Sequence, residues 1–117
     1  MPFIDWEQVP AEKVAEGITR KMVTGERLSF VLWRFAAGLH VPAHRHPNEQ
    51  IAYMIRGKME FRLGDERRTL SRPGEILLVP ANVEHEAWFP EETEVVDVFS
   101  PPREDFLTGR DDYLRRG

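Results

Sequence analysis

The sequence predicts an all-β domain, a sandwich or barrel of short strands, and three observations carry that prediction. Glycine and proline interrupt the chain at short intervals, at Gly25, Gly38, Pro42, Pro47, Gly57, Gly64, Pro73, Gly74, Pro80, Pro90 and Pro101. Such breaks leave pieces long enough for strands and too short for ordinary helices. The pieces are rich in β-branched, aromatic and aliphatic residues, which suit a pleated, half-buried surface. In KMEFRL, Met59, Phe61 and Leu63 alternate with Lys58, Glu60 and Arg62, the period-two pattern of a strand with one wet face.

In order, the strands fall on RLSFVLWRF, QIAYMIRG, KMEFRL, RRTLS, EILLVP, EHEAWF and TEVVDVF, between residues 27 and 99. Gly64-Asp65-Glu66 forms a hairpin turn with a charged tip. About seven or eight such strands with turns at these intervals make a sandwich or barrel. Residues 1–20 read as less sheet-like, and the tail from Arg103 onward holds a short helix interrupted at Gly109.

A chain of 117 residues with 41% hydrophobic content suffices for one core and not for two, so residues 1–117 are expected to form a single domain. Charge is mixed in sign and sums to only −4, which offers no basic footprint for nucleic acid. No apolar run reaches the length of a membrane span, and the start lacks the basic-then-apolar order of a secretion signal. A cytoplasmic location is the expectation. There is no cysteine, so any metal must be held by nitrogen and oxygen.

The histidines are His40, His44, His46 and His85, and two of them lie in HRHPNEQ, residues 44–50. On a strand, residues two apart project to one face, so His44 and His46 can reach one ion together. Zinc, nickel, iron and copper all suit such imidazole pairs. His40 shares their parity but precedes Pro42 and reads as exposed.

The wider spacing carries a family resemblance. Gly38, His44, His46, Gln50 and Gly57 resemble the first cupin motif, 38–57, with glutamine in place of its glutamate. Gly74, Pro80 and His85 resemble the second, 74–89, which departs at its end, where Phe89 stands for the usual asparagine. The resemblance implies a cupin β-barrel, a double-stranded β-helix or jelly roll, with a short N-terminal segment and a C-terminal tail. It also implies a divalent transition metal (Zn, Ni, Fe or Mn) held by His44, His46, Gln50 and His85. Glu49 and Gln50 are neighbours, so on an extended strand only one faces the histidines. Cupin spacing selects Gln50, and a bulge would swap the two. A neutral amide leaves the ion its full charge, which favours polarising a substrate oxygen over activating dioxygen.

A second cluster lies in VVDVFSPPREDFL, residues 95–107. Asp97 shares a strand face with Val95 and Phe99, where an acid needs a partner or a task. Arg103 follows Pro101 and Pro102 and can clamp a carboxylate; alternatively, Asp97 and Arg103 pair with each other or sit in solvent. HPNEQ together with DVFSPPREDFL is similar to the cupin branch of pectin-degradation proteins that linearise unsaturated uronic acids. That likeness implies that Asp97 and Arg103 are catalytic, that Arg103 and Phe99 bind substrate, and that a 4,5-unsaturated monouronate is opened to its linear keto form. A ferrous dioxygenase and a non-catalytic module binding metal or a sugar acid remain as alternatives. Tyr53, Met54 and Trp88 are expected to pack the barrel. The expected partners are a small anionic sugar and a second copy of the chain, with FIDW (residues 3–6) available to pack on that copy; neither nucleic acid nor membrane is expected.

Overall fold

The structure, a computed structural model, describes residues 3–115, the side chains of Asp112 and Arg115 excepted. A 3-10 turn at Trp6–Gln8 precedes ten strands: β1 Glu12–Ala15, β2 Ile18–Thr24, β3 Ser29–Phe35, β4 Leu39–His44, β5 Glu49–Arg56, β6 Met59–Leu63, β7 Glu66–Leu70, β8 Ile76–Val79, β9 His85–Phe89 and β10 Thr93–Ser100. Two short helices, α1 Glu104–Thr108 and α2 Asp112–Arg115, close the described chain. The strands form a six-stranded sheet in the order β1-β2-β3-β10-β5-β8 and a four-stranded sheet in the order β4-β9-β6-β7. Every pairing is antiparallel, and the two sheets enclose one apolar interior, as expected of a jelly roll.

Alternation builds that interior. Val31, Trp33 and Phe35 point inward from β3, Ala52 and Met54 from β5, Phe61 from β6, and Ala87 and Phe89 from β9. Phe35 and Phe89 stack across the two sheets with centroids 4.0 Å apart, so aromatic faces fill one end of the barrel. Gly57 ends β5 at φ 102°, and a Cβ there would lie 2.4 Å from the Glu92 carbonyl oxygen. Only glycine allows β5 to turn that close to the start of β10.

Three expectations need correction. The N-terminal segment, described from residue 3, does enter a sheet: VAEGITR makes a β1–β2 turn whose polar residues had hidden it, since only Val14, Ile18 and Arg20 in it are buried. LHVPAH is a strand despite Pro42, because β4 is the sheet edge and its register breaks between Val41 and His44. Tyr53 and Trp88 do not pack the barrel. Tyr53 is exposed on the outer face of β5, and Trp88 lies outside β9, stacked on exposed His40 and covered by Arg67; Met54 alone of the three is core. Among the described residues, no helix is long and apolar enough to cross a membrane.

Candidate metal centre

One cavity of the barrel sets polar groups among its aromatic rings. His44 ends β4 directly opposite His85, which opens β9. Across the interior, Gln50 on β5 sits opposite Phe99 on β10, and Asp97 is two residues along the same inward face. His46 is not on a strand with His44, contrary to the parity expected from sequence: it lies in the connection before β5, and that turn brings it back toward the other two. The ligand-capable nitrogens of His44, His46 and His85 lie within 4.8 Å of one another. A single ion with bonds near 2.1 Å spans about 4.2 Å across its diameter, so small rotations bring all three onto it.

The backbone fixes each imidazole in the same way. His44 Nδ1 donates to the Pro42 carbonyl at 2.8 Å, His46 Nδ1 to the Asn48 carbonyl at 3.0 Å, and His85 Nδ1 to the Val83 carbonyl at 2.8 Å. A carbonyl only accepts, so Nδ1 carries the proton and Nε2 keeps its lone pair for an ion. Burial, reinforced by neighbouring positive charge, lowers His44 to about 3 and His46 to about 4, and it lowers His85 as well. At neutral pH the rings are therefore neutral, the form that binds metal.

Gln50 is buried while Glu49 is exposed. Its Oε1 stands 3.2 Å from His46 Nε2. With the His46 proton on Nδ1, two lone pairs face each other there, a repulsion that a cation beside both converts into attraction. The residues present thus fit a divalent ion held by three neutral imidazoles and one amide oxygen.

Asp97 is buried in the same cavity, and its Oδ1 has no hydrogen-bond partner. Burial raises its carboxyl to about 7, although the Gln50 amide, the Arg103 charge and the Trp33 indole oppose that rise. Asp97 and Arg103 do not pair. Arg103 gives Nε and Nη2 to Asp105 at 2.8 and 2.6 Å and Nη2 also to the Tyr113 hydroxyl at 2.7 Å. Its guanidinium lies 3.9 Å from the Phe106 ring centroid and 4.6 Å from that of Phe99. Nη1 is left without a partner among the described residues and is the edge free for an anion.

Sequence reasoning missed the residues that hold these groups in place. Asn48 donates its amide to the carbonyls of Pro101 and Pro102, joining the His46 turn to the segment that carries Arg103. Asp105 sits only two residues beyond Arg103, the one near signal. Arg20, its side chain wholly buried, bonds Asp111 at 2.8 Å and Glu12 at 2.8 Å and so fastens the tail to the barrel. Tyr113 follows from that anchor, its ring stacked on His44 with centroids 4.2 Å apart.

A family model for the cupin domain matches residues 31–99, and the chain belongs to the cupin family. Within it, the chain falls with the pectin-degradation branch. It is 37% identical over 108 residues to the pectin degradation protein KdgF of Dickeya dadantii (strain 3937), covering 90% of this chain and 96% of that one. The structure of KdgF from Halomonas sp. matches with a TM-score of 0.84 at 33% identity, over 92% of this chain and 99% of that chain. An RmlC-like cupin from Shewanella frigidimarina NCIMB 400 matches with a TM-score of 0.83 at 30% identity, over 89% and 94%.

Proposed function

We propose that this protein is a metal-dependent enzyme of pectin degradation that converts a 4,5-unsaturated monouronate to its linear keto form. The observation that carries this is a buried carboxyl with an unpartnered oxygen, poised to titrate near neutrality, sharing one cavity with a ligand-ready histidine group and an arginine edge. The similarity to pectin degradation proteins supplies the substrate class.

The conversion balances without a second substrate. The ring bond between C1 and its oxygen opens, the C1 hydroxyl loses a proton as the aldehyde forms, and C4 gains a proton as the enol at C5 becomes a ketone. A divalent ion on His44, His46, Gln50 and His85 would orient the sugar and polarise its oxygens. Arg103 meets the uronate carboxylate through Nη1, with Asp105 holding the opposite edge of the guanidinium. Asp97 carries the proton: burial raises its carboxyl, and its unpartnered Oδ1 in the cavity is placed to give and take one. Phe99, 2% exposed, walls the cavity and keeps water from these charges.

Proton NMR of unsaturated galacturonate decides the proposal. Metal-loaded protein is expected to remove the vinylic C4 proton signal far faster than buffer, and chelation to abolish the difference. Equal rates with and without protein would refute it.

A further inference from the structure

The roof of the cavity comes from the C-terminal tail. Tyr113 and Leu114 on α2 reach over the site beside Phe106 on α1, and the cavity beneath has a volume of about 60 Å³. Pockets that enclose small ligands measure several hundred Å³, so a sugar seated beside the histidines has to share this space with the tail, and Tyr113 lies on the tail's side of it. Two anchors hold the tail there. Leu114 is 4% exposed in the core, and the Arg20–Asp111 pair is wholly buried.

The bonds of the Tyr113 hydroxyl are asymmetric. Its oxygen accepts from Arg103 Nη2 at 2.7 Å, while its own proton has no acceptor among the described residues. A phenol held by one lone pair still offers that proton as a donor. Its ring cannot swing freely, because it is stacked on His44 with an interplanar angle of 21°. The unused proton and the unused Arg103 Nη1 therefore belong to adjoining groups on the wall of one cavity.

We propose that Tyr113 is a substrate-binding residue whose hydroxyl, together with Arg103 Nη1, forms a two-donor cradle for the carboxylate of a uronate. The cradle rests on the uronate reading above and adds a residue to it. Arg103 supplies the charge; Tyr113 supplies a second, directional donor. Two donors on one carboxylate fix its plane, which a single cation does not. Asp111 and Arg20 act at a distance, by keeping Tyr113 in register with His44.

Tyr113→Phe tests this, since it keeps the ring on His44 and removes only the hydroxyl. Calorimetric titration of the zinc-loaded protein uses galacturonate, which has the carboxylate but no double bond to react, and galactose as the neutral control. The parent is expected to prefer galacturonate. Tyr113→Phe is expected to weaken galacturonate binding about tenfold and to leave galactose and zinc affinities within about twofold. In turnover the variant's KM should rise more than its kcat falls. A parent that binds the two sugars alike, or a variant whose galacturonate affinity stays within about twofold, overturns the proposal. So does an equal loss for both sugars, which marks a merely structural role. A parent without turnover that still shows the Tyr113-dependent preference removes the enzymatic reading and leaves the cradle standing.

Discussion

Asp97 and Asp111 are the two aspartates buried among the described residues, and their surroundings are opposite. Asp111 lies 2.8 Å from a guanidinium that also stacks over Phe106 and bonds Glu12, so its charge is matched by a buried cation. Asp97 sits between Val95 and Phe99 on β10 with one oxygen unpartnered and the nearest cation turned toward other groups. Burial with a partner makes a strut, whereas burial without one stores a cost that only a ligand, an ion or a proton relieves. The two carboxyls are therefore expected to respond to the same isosteric substitution with opposite signs.

The largest effect is expected at the strut. Asp111→Asn takes away the buried carboxylate partner of Arg20 and leaves it, among the described residues, with half-exposed Glu12, which costs about 3–5 kcal/mol of stability. Denaturant unfolding of the metal-free protein measures it, and a loss below about 1 kcal/mol would break the comparison.

Asp97→Asn is expected to do the reverse. Its carboxyl rises from 3.8 to about 7 on folding, which corresponds to at most about 4 kcal/mol at pH 8. The sign follows from proton uptake. Below about pH 4 the group is protonated in both states and its contribution is intact. As pH rises toward 7 the unfolded chain releases the proton first, and stability falls. The metal-free Asn variant should therefore match the parent near pH 4 and grow steadily more stable than it up to pH 8, as read from melting temperatures across that range. The three histidines, lowered on folding, act the other way in both proteins, which lose stability as pH falls below about 6.5. The same variant is expected to lose turnover on the order of 100-fold, with zinc content unchanged. A stable and fully active Asp97→Asn protein would end its role in proton transfer.

The smallest contrast sharpens the metal side. Gln50→Ala is expected to weaken zinc binding by at least the factor of about 10–100 that losing an orienting partner costs, and Glu49→Ala to change it less than about twofold. Competition with a chromogenic chelator measures both. The opposite ranking would make the site acidic.

What the sequence reveals of this site follows from distance along the chain. His44, His46 and Gln50 fall within one turn of sequence, so their spacing alone points at one ion. Asp97 is legible because an acid interrupts an apolar alternation. Arg20 and Asp111 are 91 residues apart, and nothing local to either distinguishes it from an ordinary surface charge. Tyr113 is invisible for the same reason, since its place over His44 depends on that distant anchor. Strands were legible where side chains alternate, as in β6, and hidden where a proline sits on an edge, as in β4, or where polar residues dominate, as in β1.

The Asn48 bridge has a consequence for how such a protein can change over generations. Its side-chain amide holds the carbonyls of Pro101 and Pro102, while its own carbonyl holds His46. The turn that sets the ion and the turn that sets Arg103 are thus tied through one residue. Neither can be lengthened, shortened or re-aimed by drift alone without misplacing the other. A change in the segment after β10 has to be accommodated in HPNEQ, so the two stretches are expected to vary together, although about 50 residues of barrel lie between them in the chain.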